Sequence, residues 1–363
     1  MHSTDQFRIF ATPPSEKALL RPRRLLQDGR TAEAEAAYRE VLAASPALGQ
    51  AWIETFALLR GAGRYSEALA LAEQAVVQFG EGALPAALRG AALVELGRYR
   101  EGLAALDDAA QRDPNLGLVW HEAGNAAFRV GELSRALMAL DRAFALEPHG
   151  GTLQLRGQVL RQAGRYMAAE VAFEGAAEAA EFPAQREAAR AEIRITRRYA
   201  SFPGIKPESL GPARRWFADA GGVPLTSGSG AAPNDAALCA AFARLTAESG
   251  WRFTALVALD GWEGWYDLAR TLAVPVAAEL PEGDLVIPVI CARQPAAMPR
   301  WMELATRLLV TRRGLAFALH QPPQLAGADV AGIVGGAGGA IDHALAINAA
   351  EHPEGRIAGR ILR

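Results

Sequence analysis

The stretch "HEAGNAAFRVGELSRALMALDRAFALEP", residues 121–148, places its smallest side chains at regular offsets. Gly124 and Gly131 come first, and Ala136 and Ala143 follow. Small side chains allow two helices to approach closely, and glycine adopts the backbone angles that tight turns need. The stretch therefore predicts two packed helices joined by a turn.

The same pattern recurs along the first half of the chain. The turn glycines are separated by 34, 34 and 33 residues, and small residues follow each of them at fixed distances. A repeated period of this length indicates stacked copies of one helical unit. The turn glycines are Gly63, Gly97, Gly131 and Gly164, followed by the small residues Ala68, Gly102, Ala136 and Ala169 and then by Ala75, Ala109, Ala143 and Ala176.

This register resembles the tetratricopeptide repeat (TPR), a helix–turn–helix unit. One such pair cannot bury its apolar face alone, so the resemblance implies an α-helical TPR-like solenoid over residues 15–200 that ends in a capping helix. The first unit is degenerate because Pro22 falls in its first helix. The five units are predicted at 15–48, 49–82, 83–116, 117–149 and 150–183.

The second half has a different organisation, and we recognise no family in it. Residues 1–14 are predicted to be a tail, and the Pro-, Gly- and Ser-containing segment 201–233 a linker. Alternating helical and β-rich runs over 234–363 predict a smaller α/β domain with a mixed sheet. Two β-rich runs, "VPVAAEL" at 274–280 and "DLVIPVIC" at 284–291, predict an antiparallel hairpin.

The resemblance implies a partner-binding groove lined by the first helix of each unit. Polar groups concentrate at the inward positions of the last two units, where amides can bond a peptide backbone and arginine can pair with a carboxylate. Some members of the family clamp a terminal carboxylate with lysine and asparagine. Asn125 matches such a position, whereas His121 replaces the lysine. The alternative is a solvated concave face. The predicted partner-binding residues are His121, Asn125, Phe128, Arg129, Gln154, Gln158 and Arg161.

Three residues at predicted strand ends are candidate catalytic groups. These are Asp260, Cys291 and His320, because open α/β sheets bind ligands at the carboxyl ends of their strands. If the strands of Cys291 and His320 are parallel, the histidine could activate a thiolate. The alternative is that the cysteine, in the apolar run "IPVICA", is a small buried hydrophobe.

Two further segments are candidate ligand sites. In "DGWEGWYD", residues 260–267, aromatic rings beside carboxylates suit a carbohydrate or a peptide, although the rings could instead cover the edge of the sheet. The glycine-rich run at 332–348 could expose amides to a sugar nucleotide, but it does not fit the dinucleotide-binding pattern, so close packing is the alternative. The predicted ligand loop consists of Trp262, Glu263, Trp265 and Tyr266.

Composition excludes several classes of function. A net charge of −2 argues against a nucleic-acid binder, and two cysteines cannot form a zinc site of four cysteines or a disulfide framework. We expect no metal and no cofactor. The start of the sequence lacks the pattern of a signal peptide, and no run is apolar enough to span a membrane. These features predict a cytoplasmic, bacterial protein.

The sequence therefore predicts a scaffold or adaptor whose solenoid binds a protein or peptide partner for an α/β domain of undetermined activity. The alternative is an enzyme, either a sugar-nucleotide transferase or a Cys/His hydrolase, whose repeats recruit a protein substrate. A third possibility is assembly through the solenoid into a homo-oligomer.

Overall fold

The computed structural model divides into two compact units, Met1–Arg190 and Ala191–Arg363. The predicted N-terminal tail, residues 1–14, lies outside the described residues. The structure describes residues 15–227, 231–283, 285–295, 298–322, 327–336 and 339–362.

The first unit is built from helical hairpins. Over residues 15–190 five hairpins follow one another, each with a first helix packed on a second, which confirms the predicted TPR-like solenoid. Pro22 is tolerated because its helix begins at Leu20, so the proline lies in the first turn. The helices are α1 Leu20–Gln27, α2 Thr31–Ala44, α3 Gly49–Gly61, α4 Tyr65–Phe79, α5 Ala83–Glu95, α6 Tyr99–Arg112, α7 Gly117–Val130, α8 Leu133–Leu146, α9 Gly150–Gln162, α10 Tyr166–Glu178 and α11 Pro183–Ala200.

Glycine explains both the turn and the close packing within a hairpin. Gly131 ends α7 with φ of 89°, in the left-handed region that side chains other than glycine rarely adopt. Within α7, a Cβ atom added at Gly124 would lie 2.6 Å from Cγ of Leu140 on α8. The regular small residues of the sequence are therefore turn and contact positions.

Neighbouring hairpins share hydrophobic clusters, one running from α3 to α9 and a smaller one joining α2 to α3. Each second helix packs on the first helix of the next unit, and successive first helices also contact one another, as α3 does α5 and α5 does α7. Tryptophans fix the first helices to the preceding turn: Nε1 of Trp52 donates to the Pro46 carbonyl at 2.8 Å, and Nε1 of Trp120 donates to the Pro114 carbonyl at 2.9 Å. These rings serve the packing.

The second unit is an α/β fold, as predicted. Its strands form a sheet of order β1-β6-β5-β4-β2-β3, and every described strand pair is parallel. The elements are α12 Pro212–Ala220, β1 Val223–Pro224, α13 Asp235–Glu248, β2 Ala255–Ala258, α14 Gly264–Leu272, β3 Val276–Ala277, β4 Pro288–Ala292, α15 Pro299–Thr311, β5 Leu315–Gln321, β6 Val330–Val334 and α16 His343–Glu351.

The prediction of a mixed sheet with an antiparallel hairpin is wrong in this detail. The run at 274–280 supplies only the short strand β3, which pairs with β2 in parallel because α14 carries the chain back across the sheet. The run at 284–291 supplies β4, which lies on the other side of β2. Because the two runs are close in sequence, they suggested a tight turn between paired strands. The segment between β3 and β4 instead crosses β2, so that the two strands lie on opposite sides of it.

The segment expected to be a linker contains ordered elements. It holds α12 and the edge strand β1. The amide of Val223 in β1 donates to the carbonyl of Asp329, and the amide of Leu225 just after β1 donates to the carbonyl of Ala331, each at 2.8 Å. Val223 and Leu225 are buried, so the apolar residues between the prolines and glycines carry the fold here. Residues 228–230 of this segment lie outside the described residues.

Helices cover both faces of the sheet. Phe242 of α13 and Trp265 of α14 pack on one face, whereas Trp301 of α15 packs on the other. The chain leaves β2 toward β3 on one side and leaves β4 toward β5 on the opposite side. The carboxyl ends of β2 and β4 therefore flank the point where the direction of winding reverses, which is where parallel α/β sheets bind ligands.

Candidate functional site

An ion-pair network runs across the first helices of the solenoid. Arg60 of α3 donates through Nε to Oε1 of Glu95 on α5 at 2.6 Å, and through Nη1 to Oε1 of Glu122 on α7 at 2.8 Å. Burial acts to lower the pKa of Arg60, but the charges of Glu122 and Glu95 outweigh it and hold the pKa above its usual value. One side chain thus joins three consecutive repeats, so these first helices lie close together.

His121 has a structural role beside this network. It is buried, and its Nδ1 lies 3.1 Å from Oγ1 of Thr152 on α9. Burial lowers the pKa of His121, so the ring is neutral near pH 7. A neutral imidazole provides no charge for a terminal carboxylate, and the ring instead joins α7 to α9.

Asn125 and Arg129 are the polar groups of α7 that remain available. Asn125 is nine-tenths buried, yet its carboxamide has no hydrogen-bond partner among the described residues. Arg129, one turn further along α7, is exposed and forms no ion pair within the described part of the chain. The carboxamide atoms of Asn125 are not among the fully buried unpaired atoms of the described residues, so they are open to solvent, and a ligand can form hydrogen bonds with them in place of water.

The remaining predicted groove residues lie on α7 and α9. Gln154 and Gln158 are half-buried on α9, one turn apart. Arg161 has its guanidinium 5.5 Å from the ring centre of Phe173 on α10, and Phe128 packs against the solenoid core. The structure thus places Asn125 and Arg129 on α7 and the two glutamines on the neighbouring first helix.

Sequence analysis missed the role of Glu122. Arg60 and Glu95 stand at inward repeat positions that are otherwise mostly apolar, which was a signal of a buried network. Glu122 has a side chain only 1% exposed, and nothing in its local sequence distinguishes it from a surface glutamate. Only the stacking of three units brings these charges together.

We predict that His149 makes the solenoid less stable in acid. His149 caps α9, where its Nδ1 accepts a hydrogen bond from the Gly151 amide at 3.0 Å, and burial lowers its pKa from 6.5 to about 4. The unfolded chain therefore binds an additional proton between these values, so stability falls as the pH falls from 6.5 to 4, by about 2 kcal/mol after screening.

His149→Asn keeps an N-cap acceptor without a titrating ring. Denaturant unfolding at several pH values should show a weaker pH dependence for this variant than for the parent. Asn115→Ala is the control, since it changes an exposed turn residue and leaves both α9 and every titrating side chain unchanged. An unaltered slope in His149→Asn would contradict this role.

In the second unit Asp260 fastens two loops at the carboxyl edge of the sheet. Its Oδ1 accepts from Nε1 of Trp265 at 2.6 Å and from the Trp262 amide at 3.3 Å, and its Oδ2 accepts from the Arg293 amide at 2.6 Å. Both carboxylate oxygens are thus used to hold the loops after β2 and β4. Asp260 is a positioning residue in this structure.

Cys291 lies inside the sheet core. Its side chain is fully buried, and burial raises the pKa of the thiol well above its usual value. The other cysteine, Cys239, is also buried, and burial raises the pKa of its thiol to about 12. Both thiols are therefore protonated near neutral pH, whereas nucleophilic catalysis requires an accessible thiolate.

His320 pairs with a carboxylate. Its Nε2 lies 2.9 Å from Oδ1 of Asp235, the first residue of α13, and Nε of Arg293 donates to Oδ2 of the same carboxylate at 2.9 Å. We name these three residues the carboxyl-edge cluster. Sequence analysis selected His320 and missed Asp235, which stands far from it in the sequence at the start of a helix.

The predicted ligand loop divides into core and surface residues. Trp265 is fully buried and packs edge-on against Phe317. Glu263 and Tyr266 are exposed. Trp262 is half-buried, with the Arg293 guanidinium 5.6 Å from its ring centre, and it borders an open groove of about 770 Å³ between α13 and α14. Among the loop's aromatic rings, Trp262 therefore lines this groove.

Solved structures similar to this chain include TPR proteins. No protein-family model and no curated protein matches the chain. A thermophilic TPR protein from Thermus thermophilus, TTC0263, is 19% identical at a TM-score of 0.43, with 50% of this chain and 99% of that chain covered. YrrB, described as a TPR protein with an unusual peptide-binding site, is 17% identical at a TM-score of 0.32. The match covers 52% of this chain and 99% of YrrB. PilW, a type IV pilus biogenesis factor, is 19% identical at a TM-score of 0.40. The match covers 53% of this chain and 89% of PilW.

Within the described residues, no helix combines the length and the apolar character that crossing a bilayer requires.

Proposed function

We propose that the chain is a protein-interaction scaffold whose solenoid binds an extended peptide segment of a partner across the first helices α7 and α9. The observation that carries this proposal is the Asn125 carboxamide, which is nine-tenths buried and has no partner among the described residues. An asparagine amide both donates and accepts, so it matches the N–H and C=O groups of a peptide backbone.

The neighbouring side chains support the same ligand. Gln154 and Gln158 on α9 offer further amides, and the exposed Arg129 can pair with an acidic side chain or a terminal carboxylate. The Arg60 network joins α7 to α3 and α5, and the His121–Thr152 contact joins α7 to α9, so the amides are presented by helices that are tied together. Preorganisation of this kind reduces the entropy that a peptide loses on binding.

We predict that Asn125→Ala and Arg129→Ala each weaken peptide binding about tenfold or more, because each removes hydrogen bonds made in a mostly buried groove. Peptides selected on the full chain from a random library provide the ligand. Their dissociation constants are then measured for the parent and both variants by fluorescence polarisation.

Matched controls lie outside the groove. Asn115→Ala changes an exposed turn residue, and Arg89→Ala changes an exposed arginine of α5. Both should bind the selected peptides as the parent does. Equal losses in all four variants, or none in Asn125→Ala and Arg129→Ala, would refute the groove. Circular dichroism confirms that each variant is folded.

In this proposal the solenoid binds the partner and thereby brings the second unit to it, which is the role of an adaptor. The adaptor role predicts that residues 15–200 retain peptide binding when the second unit is absent. The enzyme alternative has support only from the polar cluster at the sheet edge.

A further inference from the structure

The carboxyl-edge cluster lies where β4 and β5 end. Oδ1 of Asp235 lies 2.9 Å from Nε2 of His320, and Oδ2 of Asp235 accepts a hydrogen bond from Nε of Arg293, also at 2.9 Å. The Arg293 amide is in turn bound to Asp260 in the loop after β2. Two cationic or basic side chains, one after β4 and one on β5, are thus fixed at the carboxyl edge of the sheet, beside the point between β2 and β4 where its winding reverses.

The carboxylates of this region are occupied, whereas part of each basic group is available. Both oxygens of Asp235 and both oxygens of Asp260 accept hydrogen bonds. The terminal nitrogens of Arg293 and Nδ1 of His320 have no partner among the described residues. The side chains of Arg293 and His320 are 48% and 35% exposed, so a ligand can reach them.

The backbone adds positive potential at the same edge. In a parallel α/β sheet the helices that follow strands start where the strands end, and α14 begins here beside Trp262 while α13 begins at Asp235. The N-terminus of a helix carries about half a positive charge, which favours anions. The carboxylates of Asp235 at the start of α13 and of Glu263 and Asp267 at the start of α14 offset much of this potential, so the Arg293 guanidinium supplies the positive charge for an anionic ligand.

We propose that the carboxyl-edge cluster binds the phosphate group of a small molecule. Arginine presents paired N–H donors that match two phosphate oxygens. With its Nε2 proton directed at Asp235, a neutral His320 accepts through Nδ1 from the P–OH of a phosphate monoanion. A protonated His320 donates to a phosphate oxygen instead. A carboxylate suits only the protonated ring, so phosphate fits both states. Asp235 acts as a positioning residue.

A cavity next to the cluster has room for the rest of such a ligand. The groove of about 770 Å³ between α13 and α14 starts at Ala236, next to Asp235, and is bordered by Trp262, on which Arg293 lies. Its wall combines apolar side chains, such as Trp251 and Leu268, with the charged side chains of Arg244 and Asp267. The cluster and the groove together suit a phosphate ester with an apolar or flat organic part.

Titration of the full chain with inorganic phosphate tests the proposal, with binding followed by phosphorus NMR line broadening. Acetate and chloride at equal ionic strength are the comparison anions. We expect saturable phosphate binding, little response to acetate, and a loss of about tenfold or more in affinity for Arg293→Gln and for His320→Gln. Phenyl phosphate should bind more tightly than inorganic phosphate because its ring can enter the groove.

The controls are Arg307→Gln and His343→Gln, which remove an arginine and a histidine of the same unit outside the cluster. Both should bind phosphate as the parent does. Circular dichroism shows whether each variant folds, and Arg293→Lys, which keeps the charge but loses the paired donors, replaces Arg293→Gln if that variant is unfolded. Absence of saturable binding, equal binding of acetate, or parental affinity in the cluster variants would overturn the proposal.

Discussion

Replacing Arg60 with methionine is expected to lower the free energy of unfolding of the solenoid by about 3–5 kcal/mol. The side chain of Glu122 is 1% exposed and that of Glu95 is 17% exposed, and both lose their cation in this variant. Removing one member of a buried ion network leaves its partners as uncompensated charges. Since the three residues lie on α3, α5 and α7, their loss should weaken the packing between neighbouring repeats of the solenoid as well as the packing within each repeat.

Urea unfolding followed by circular dichroism measures this effect. The triple variant Arg60→Met, Glu95→Gln and Glu122→Gln removes the charges together and should recover much of the lost stability, since no buried ion is left unpaired. Arg98→Met is the matched control, because its pair with Glu101 is exposed and contributes little. A fall of less than about 1 kcal/mol in the free energy of unfolding of Arg60→Met would show that the network does not hold neighbouring repeats together.

Asp329→Asn is expected to destabilise the second unit by a similar amount, about 3–5 kcal/mol. Asp329 is 1% exposed, and its Oδ1 accepts from Nε of Arg356 at 2.8 Å and from Nη2 of Arg360 at 2.9 Å. Its Oδ2 accepts from the Ala316 amide on β5 at 2.9 Å. Burial lowers the pKa of Arg360 despite the charge of Asp329, so the arginine depends on this carboxylate.

The carboxylate joins the segment after α16 to β5 and to the start of β6. Guanidinium chloride unfolding followed by tryptophan fluorescence reports mainly on the second unit, which contains five of the seven tryptophans, with Trp265 and Trp301 in its core. Glu282→Gln is the control, because it breaks an exposed ion pair with Arg307. Equal stability of Asp329→Asn and the parent would mean that the two arginines find other partners.

The repeat half could be predicted from sequence because its signals are local and periodic. Gly131 marks a turn and Gly124 a helix contact, and the same requirements return in each unit. What the period cannot give is the set of contacts between units. Glu122 looks like an ordinary helix residue until stacking brings it to Arg60, and His121 resembles a groove residue until Thr152 of the next unit buries it.

The second half was predicted less well because its pairing is non-local. The sequence indicated the strands but not that β3 and β4 lie on opposite sides of β2. Cys291 and His320 were predicted as catalytic candidates because both stand at the ends of predicted strands. Strand alternation instead turns the cysteine into the core, and His320 meets Asp235, a residue that only the fold brings near.

Photo-cross-linking from the inner face of the solenoid tests the central claim most directly. A photoreactive p-benzoylphenylalanine replaces Gln158 on α9 in one form of the full chain and the exposed Met138 of α8 in another. A selected peptide should be cross-linked from position 158, and adding Asn125→Ala and Arg129→Ala should abolish the product, whereas position 138 should give none. Equal cross-linking from both positions, or a product at 158 that survives both substitutions, would contradict a peptide groove on α7 and α9.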